Sequence, residues 1–395
     1  MTKRKVIFFF LRVLDGGGVS THCADLISAL GSQGYTVILI YGGVVGSLKG
    51  QEWFAKRGIT VYHIGFSKKI SLKNAIKSLS SFTKFIFLLY KYRPEIIHCH
   101  FRSTFIFAMI AKTLTNAKNV LTIHLHGMPN TRITRFFQSR FDRFIVISSE
   151  IEQELLSMDV NPDRITKIYN GADHLRYLYP AAEKRGELRL KYGVQPDKII
   201  LTVVSRLVKV KSIDTFIRAI AELDQVSQDR IQCMVVGDGG QKENLTQLTH
   251  QYGLEKIIHF PGYCDPVDYY ALSDVYILPS LNEGFSVSVI EAMLSGLAIL
   301  RTPTSGCYDQ VIENQNGFIF PFNDHQTLAE KIDFILDNPA KLASMQDASY
   351  KLALSRFTLE VMTADTIKVY DSLMEKVSPA VIGGSTIDAY PVQNL

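Results

Sequence analysis

The sequence predicts an α/β protein of two domains, and three observations lead to this prediction. The chain has 395 residues, which is too long for one ordinary hydrophobic core and indicates two domains of ~150–200 residues. Its 47% hydrophobic and 21% charged residues are typical of globular proteins. Strand and helix patterns alternate through the first half, and the alternation starts again at residue 199 after a polar stretch. We therefore predict domains over residues 1–175 and 176–356.

Apolar stretches mark the strands of both domains, with helix patterns between them. In the first domain the predicted strands are 6–11, 37–41, 61–64, 96–100, 120–124 and 144–147. In the second domain they are 199–204, 233–236, 275–280, 298–301 and 316–320. A last helix is predicted near 357–374, and residues 377–395 are predicted to form a poorly ordered tail.

The start of the chain imitates a secretion signal, but we interpret it as the first strand. Arg12 and Asp15 interrupt its apolar run, and no run approaches the ~18 apolar residues of a membrane-spanning helix. The cysteines are scattered, without a CxxC pair, at Cys23, Cys99, Cys233, Cys264 and Cys307. This usage fits a reducing cytosol and no zinc site. We expect a cytoplasmic protein.

Charge is unevenly distributed between the two halves. Residues 1–175 contain 23 Lys and Arg against 11 Asp and Glu, a net charge of +12, while the remainder carries −7, which gives the total of +5. A basic half indicates an anionic partner. The predicted helix from Leu72 to Arg93 carries a row of lysines, and residues 132–144 are rich in Arg and Phe. These features indicate contact with an anionic membrane surface, or else an ordinary helix with a solvated basic face.

Two carboxylates lie in a strand–turn–helix segment of the second domain. Glu283 follows the predicted strand 275–280, and Glu291 lies eight residues later. Within one helix they would be ~12 Å apart, too far to flank one reacting atom as paired acids roughly 5 Å apart do. They serve two points of one extended ligand, or they are an exposed loop residue and a solvated helix residue. The apolar neighbours of Glu291 indicate that it has a hydrogen-bonding partner.

Candidate anion-binding residues follow two other strands. Gly17 and Gly18 lie in a glycine-rich turn between a strand and a helix, where backbone N–H groups can approach a phosphate. The spacing is not that of dinucleotide-binding motifs, and a tight turn without a ligand is an equal alternative. Arg206 and Lys211 are five residues apart after the strand 199–204. They converge on one anion, or they are two solvated loop cations.

Histidines follow two predicted strands of the first domain. His124 ends the strand 120–124, at the edge where open α/β sheets bind ligands. His126 lies two residues later, so His126 takes this position instead if the strand ends two residues further along the chain. His98 and His100 would point the same way on a strand, which raises the possibility of a metal site. We predict no metal site, because no third ligand is placed near this pair.

Several of these segments resemble one known family. The Glu283 to Glu291 unit, with Gly284 and Phe285 after its first acid and Glu-Ala-Met at its end, resembles the donor-site motif of glycosyltransferase family 4. In the same order as in that family come the glycine turn at 16–18, the Asn-Gly-Ala-Asp segment 170–173, Arg206 with Lys211, and segments 237–239 and 257–263. The resemblance covers roughly residues 5–375. It implies the GT-B fold, in which two Rossmann-like α/β/α domains face each other across a cleft. It also implies that the last helix, near 357–374, packs back on the first domain.

The resemblance also implies roles for particular residues. The donor would be a nucleotide-diphosphate sugar, UDP- or GDP-linked, with no other cofactor and no metal. Glu283 would bind the hydroxyl groups of the sugar, and His124 would contact it near the reacting carbon. Arg206 and Lys211 would neutralise the diphosphate, and Glu291 would hold the ribose. The donor site would be completed by Gly17, Gly18, Gly262, Gly284, Phe285 and Ser286.

One loop departs from the family pattern. Ser305 and Asp309 stand where the family usually has Gly and Glu. In the family this loop borders the sugar pocket, so the identity of the sugar does not follow from the resemblance.

The implied reaction is the transfer of a sugar, with retention of its anomeric configuration, to a glycan or lipid-linked acceptor. By analogy it would serve bacterial lipopolysaccharide, capsule or exopolysaccharide assembly at the cytoplasmic face of the inner membrane, with no nucleic acid partner. Two alternatives remain. A non-hydrolysing nucleotide-sugar epimerase of the same fold would act on the donor alone. A non-catalytic nucleotide-sugar-binding protein would need a degraded donor site, whereas Arg206, Lys211, Glu283 and Glu291 are all present.

Overall fold

Two parallel sheets with flanking helices form the part of the chain that the computed structural model describes, as the sequence predicts for an α/β protein. The described residues are 5–14, 18–44, 51–65, 72–101, 104–127, 131, 135–136 and 138–374, with only the backbone for 72–79. Gly17, Arg132 and the tail predicted for 377–395 lie outside these ranges.

The first sheet has seven strands in the order β3-β2-β1-β4-β5-β6-β7. Their bounds are β1 Val6–Leu11, β2 Thr36–Tyr41, β3 Thr60–His63, β4 Ile96–Cys99, β5 Lys118–Ile123, β6 Arg143–Val146 and β7 Ile165–Lys167. The second sheet has six strands in the order β10-β9-β8-β11-β12-β13. These are β8 Ile199–Val204, β9 Ile231–Val236, β10 Ile258–Gly262, β11 Val275–Leu278, β12 Ala298–Arg301 and β13 Gly317–Ile319.

Helices connect the strands of each sheet. In the first domain they are α1 Gly18–Ser32, α2 Gln51–Ala55, α3 Leu72–Tyr92, α4 Phe105–Leu114 and α5 Ser149–Ser157. They continue as α6 Ala182–Lys191, α7 Ile213–Glu222, α8 Gln225–Gln228, α9 Lys242–Gln251, α10 Val267–Leu272, α11 Val287–Leu294, α12 Cys307–Gln310, α13 His325–Asp337, α14 Pro339–Arg356 and α15 Leu359–Met374. Among the described helices, none is both long enough and apolar enough to cross a membrane.

The central position of β1 in the first sheet explains why its sequence is apolar without alternation. Phe8 and Phe10 point into the core on one side of the sheet, and Ile7 and Phe9 point into the core on the other. All four side chains are fully buried. A parallel strand covered on both faces requires an uninterrupted apolar run, which is the pattern that the sequence shows.

The last helix, α15, returns to the first domain. Tyr370 is fully buried there, and its hydroxyl lies 2.6 Å from Nδ1 of His98. Lys5 forms an ion pair of 2.6 Å with Asp371. The segment that leads into α15 passes close to Gly171. A Cβ added to Gly171 would lie 2.3 Å from the carbonyl oxygen of Thr358, so the two chain segments are in backbone contact.

Candidate functional site

The predicted site residues follow the carboxyl ends of strands, which is the edge where open parallel sheets bind ligands. His100 comes directly after β4 and His124 directly after β5. In the second domain, Arg206 follows β8 and Glu283 follows β11. Both domains therefore place their candidate residues on loops at the corresponding edge.

Three histidines of the first domain lie together, and we call His22, His100 and His124 the histidine cluster. Nδ1 of His100 is 3.1 Å from Nε2 of His124. The ring of His22, on α1, is centred 5.8 Å from that of His100 and 5.2 Å from that of His124. Burial lowers the pKa of His22 to about 4 and holds the pKa values of the other two well below their usual range. The cluster is therefore uncharged at neutral pH.

This cluster corrects the sequence-based interpretation of the histidines. His98 does not belong to it, because its Nδ1 lies 2.6 Å from the Tyr370 hydroxyl and its Nε2 lies 2.7 Å from Oγ1 of Thr122. The expectation that no third ligand lies nearby is wrong. The three cluster histidines each offer one ligand atom, and these atoms all lie within 4.8 Å of one another.

The backbone at His124 meets the second domain at Gly284. A Cβ added to Gly284 would lie 2.3 Å from the carbonyl oxygen of His124 and 3.5 Å from Cδ2 of Leu125. His126, the alternative assignment, has an exposed ring whose Nε2 is 4.0 Å from the Glu154 carboxylate. The loops that carry His124 and Glu283 thus touch across the domain boundary, and the contact requires glycine at 284.

Replacing Gly284 with alanine is expected to lower kcat/KM by roughly 10²-fold, because a displacement of about 1 Å at a reacting centre has that effect. The new methyl group would collide with a backbone carbonyl that belongs to the other domain. Gly186→Ala is the matched control, since its added Cβ meets no atom within 4 Å. Steady-state kinetics and the Tm of both variants check the prediction. Equal activity in the two variants would contradict it.

In the second domain, Lys211 and Glu283 form an ion pair. Their side chains are only 18% and 12% exposed. A backbone hydrogen bond of 2.8 Å from Leu281 to the carbonyl of Val210 ties their two loops together. The Arg206 side chain is exposed and has no hydrogen bond or ion pair within the described part of the chain. Lys211 is therefore not a solvated loop cation, whereas Arg206 is free to contact a ligand.

Arg301 is a buried cation near this pair that the sequence-based reasoning missed. Its side chain is fully buried at the end of β12. Its guanidinium donates to the side-chain oxygen of Gln310 and, over 2.6 Å, to Oγ1 of Thr304. Burial lowers the pKa of Arg301, and the Glu283 carboxylate is among the groups that oppose this shift. Gln310 in turn donates to the carbonyl of Ser286 over 2.8 Å. The network therefore links the buried charge of Arg301 to the segment between Glu283 and Glu291.

Glu291 lies on α11 and is held by two tyrosines. The hydroxyl of Tyr177 donates to one carboxylate oxygen over 2.8 Å, and that of Tyr270 donates to the other over 2.9 Å. Burial, with the Glu291 charge next, raises the pKa of Tyr270 well above its usual value. The expectation that Glu291 needs a hydrogen-bonding partner is confirmed, and the alternative of a solvated helix residue is wrong.

Phe285 and Ser286 are buried between Glu283 and α11. The Phe285 ring stacks on Tyr169 with centroids 5.3 Å apart and meets Phe357 edge-on at 5.5 Å. The Ser286 hydroxyl lies 3.0 Å from that of Ser288. A donor would therefore contact the backbone of Phe285 rather than its ring.

The glycines that are predicted for the donor site differ in their surroundings and backbone conformation. Gly18 begins α1, and a Cβ added there would meet no atom within 4 Å. Gly262 ends β10 with a φ of +85°, a conformation that favours glycine. Its carbonyl accepts a hydrogen bond of 2.9 Å from the N–H of Gly237. The partner of Gly18 in the turn, Gly17, lies outside the described residues.

Asp309, which departs from the family pattern, connects the two domains. Its carboxylate accepts hydrogen bonds from the backbone N–H of Ser149 at 2.7 Å, from the Ser149 hydroxyl at 2.5 Å and from the Tyr169 hydroxyl at 2.8 Å. Ser149 begins α5, where a carboxylate is favoured by the free N–H groups and the helix dipole. The Ser305 hydroxyl lies 3.1 Å from that of Ser148 in the first domain. This loop is thus engaged in contacts between the domains.

Two family models match the chain. The model described as Glycosyltransferase Family 4 matches residues 16–176, and the one described as Glycosyl transferases group 1 matches residues 184–352. An uncharacterized glycosyltransferase of Methanocaldococcus jannaschii is 23% identical, over 91% of this chain and 95% of that protein. The O-antigen biosynthesis glycosyltransferase WclY of Escherichia coli is 25% identical, over 60% of this chain and 63% of that protein.

Solved glycosyltransferase structures have the same fold. A glycosyltransferase from Rickettsia africae matches with a TM-score of 0.81 at 24% identity, over 94% of this chain and 99% of that one. Anabaena HepE in complex with UDP matches with a TM-score of 0.79 at 19% identity, over 93% and 100%. With both halves matched by glycosyltransferase models and the fold shared with solved enzymes, the chain belongs to the family 4 glycosyltransferases of the GT-B fold.

Proposed function

We propose that this glycosyltransferase moves a sugar from a nucleotide-diphosphate sugar to an acceptor with retention of anomeric configuration. The observation that carries the proposal is the contact between the two domains. The backbone of Gly284, next to Glu283 in one domain, touches the carbonyl of His124 in the other, and Glu283 is paired with Lys211. A sugar bound there would have a carboxylate, an ammonium group and an imidazole within one small space.

Neutralisation of the leaving diphosphate is assigned to Arg206 and Lys211. Preorganised cations and N–H donors stabilise the charge that develops on a leaving group, and we assign the backbone N–H groups of Gly17 and Gly18 to the same task. Two cations supply this charge without a metal ion. The exposed guanidinium of Arg206 is available for a bidentate contact, while the Lys211 ammonium remains next to Glu283.

The remaining donor contacts are divided between two acids and the histidine. Glu291, fixed by its two tyrosines, would accept hydrogen bonds from the ribose hydroxyls. Glu283 would accept them from the sugar, and His124 would contact the sugar near the reacting carbon. Because His124 is neutral at neutral pH, it would act as a hydrogen-bonding group and not as a cation.

The donor nucleotide is proposed to be UDP- or GDP-linked. The UDP complex of the similarly folded HepE supports the UDP form. The acceptor is proposed to be a glycan or lipid-linked glycan of bacterial lipopolysaccharide, capsule or exopolysaccharide. The likeness to an O-antigen biosynthesis enzyme supports that class of acceptor.

We test the reaction by incubating the protein with UDP- and GDP-sugars, first alone and then with glycan acceptors. Mass spectrometry of the products and release of nucleoside diphosphate are the measurements. The proposal predicts acceptor-dependent release, and proton coupling constants at the new glycosidic bond should show the configuration of the donor. Conversion of the donor to an epimer without acceptor would instead support a nucleotide-sugar epimerase.

A basic and aromatic surface on the first domain supports action at a membrane. On α3, the Phe87 ring is 62% exposed and the Tyr90 ring 60% exposed, and the Lys91 ammonium lies 6.0 Å from the centre of the Phe87 ring. Elsewhere on the first domain, Phe136 is 48% exposed under the guanidinium of Arg140, at 4.9 Å. Exposed aromatic rings beside cations are suited to the interface of an anionic bilayer.

This basic and aromatic surface predicts salt-sensitive binding of the protein to vesicles. Each basic group near an anionic bilayer contributes about 1 kcal/mol, and salt screens these contributions beyond a Debye length of ~8–10 Å. Co-sedimentation with anionic vesicles at low salt should be strong. It should weaken at high salt, with neutral vesicles, and in a Phe87→Ser, Phe136→Ser variant. Protein that stays in the supernatant with anionic vesicles at low salt would exclude this surface as a membrane contact, and the proposed transfer would be unaffected.

A further inference from the structure

We propose that the histidine cluster, His22, His100 and His124, binds a divalent first-row transition metal such as Zn²⁺, and that the bound metal inhibits sugar transfer. The metal-binding part stands on the geometry of the cluster alone. The inhibition rests on the proposed function, because it assumes that His124 contacts the donor sugar.

The nitrogen positions are close to those of a zinc site. Tetrahedral coordination with Zn–N bonds of 2.0–2.1 Å places ligand nitrogens about 3.3 Å apart. Nδ1 of His100 and Nε2 of His124 are already 3.1 Å apart. One ligand atom from each of the three histidines lies within 4.8 Å of the others. A shift of about 1.5 Å or less by one side chain would therefore complete a three-nitrogen site.

Two nitrogens of the cluster lack partners. Nδ1 of His22 and Nε2 of His100 are buried, and neither has a hydrogen bond among the described residues. The three side chains are 6%, 2% and 8% exposed, in the order His22, His100 and His124. Buried polar atoms are nearly always satisfied in proteins, so orphaned nitrogens need an explanation. Coordination through Nδ1 of His22 would give one of these two nitrogens a partner.

The chemistry of the donors selects the class of metal. Neutral imidazole is the form that binds metals, and an ordinary imidazole is largely neutral at pH 7 and above. Imidazole nitrogens suit Zn²⁺, Cu²⁺ and Ni²⁺, whereas Mg²⁺ and Ca²⁺ prefer oxygen ligands. Three protein ligands leave a further coordination position for water or an anion. The cluster should therefore discriminate Zn²⁺ from Mg²⁺.

Inhibition follows from the position of His124. A metal bound to Nε2 of His124 would replace its contact with Nδ1 of His100 and fix the orientation of the ring that is assigned to the donor sugar. It would also place a dication close to the loop that carries Glu283, because Gly284 of this loop contacts the carbonyl of His124 and Glu283 is paired with Lys211. Zn²⁺ should therefore lower kcat, whereas Mg²⁺ should not.

The test is calorimetric titration of the chelator-treated full chain with Zn²⁺, together with the visible spectrum of the Co²⁺ form. We expect one equivalent of Zn²⁺ and the intense visible bands of tetrahedral cobalt. His22→Gln and His100→Gln should each weaken binding by at least tenfold. His250→Gln, which removes a highly exposed histidine of the second domain, should bind as the wild type does. Circular dichroism and the Tm verify that each variant is folded.

Absence of tetrahedral cobalt bands in the wild type would overturn the proposal, and this measurement needs no variant. Unchanged Zn²⁺ affinity in a folded His22→Gln or His100→Gln protein would overturn it as well. The kinetic arm measures sugar transfer with added Zn²⁺ or Mg²⁺. If no transfer is found under any condition, the proposed function fails while the titration still decides the metal site. If transfer is found and saturating Zn²⁺ leaves it unchanged, the inhibitory role is wrong.

Discussion

Lys211→Met and Arg206→Ala are each expected to lower kcat/KM by roughly 10²–10³-fold, the range for loss of one group that stabilises transition-state charge. The two variants should differ in stability. Arg206 is exposed and unpaired within the described residues, so its Tm should remain close to that of the wild type. Lys211→Met leaves the largely buried Glu283 without its partner, which costs on the order of 2 kcal/mol and about 4–8 °C in Tm.

A double variant separates these two effects. In Lys211→Met, Glu283→Gln both charges of the pair are removed, so the Tm should recover relative to Lys211→Met alone. The activity should not recover, because the diphosphate has still lost a cation. Kinetics and thermal unfolding of the two single variants and the double variant check both statements. Near-normal turnover of Arg206→Ala and Lys211→Met would exclude these residues from the donor site.

Glu283→Gln and Glu291→Gln are expected to affect different steps. Glu283→Gln should lower kcat by roughly 10²-fold or more, because the residue lies on the loop that meets His124 and would contact the sugar as charge develops. Glu291→Gln should mainly weaken nucleotide binding, by roughly tenfold, since a hydrogen bond to a charged group contributes about 1.5–3 kcal/mol. Calorimetry with the nucleoside diphosphate and steady-state kinetics distinguish the two outcomes.

The tyrosines that donate hydrogen bonds to Glu291 provide a control for this prediction. Tyr177→Phe removes one hydrogen bond to the carboxylate and leaves its charge, so it should weaken nucleotide binding less than Glu291→Gln does. If Glu283→Gln and Glu291→Gln instead lower the Tm equally and alter kcat and affinity by the same factors, both acids have a purely structural role.

The fold follows from the sequence because parallel strands covered on both faces have a simple apolar pattern. Strands such as β1 and β11 carry uninterrupted apolar runs whose side chains are buried, apart from the half-buried Val6. Short strands are harder to recognise. β7 has only three residues, all half-buried, and β10 contains proline and glycine, so neither shows a strand period. The contacts of α15 with the first domain join residues more than 270 positions apart, and no local sequence pattern marks them.

The site is only partly predictable, because its contacts join residues far apart in the chain. Strand-end position marks His124 in the sequence, but the histidine cluster also needs His22 from a helix about 100 residues earlier, and no local pattern marks that contact. The pairing of Lys211 with Glu283 likewise depends on how two loops are tied together. Arg301 was recognisable only as an arginine that ends an apolar strand. A charge in such a position needs buried partners, and the sequence does not show which ones.

Thermal unfolding with a panel of nucleoside diphosphates and nucleotide sugars tests the proposed donor site most directly. A ligand at 100 times its Kd adds about 2.7 kcal/mol to the free energy of unfolding, or roughly 5–10 °C in Tm for a domain of this size. We predict that UDP or GDP and its sugars raise the Tm of the wild type by this amount, and that Arg206→Ala needs at least tenfold more ligand for the same shift. If no member of the panel raises the Tm, or if Arg206→Ala responds as the wild type does, the donor site proposed for the second domain is wrong.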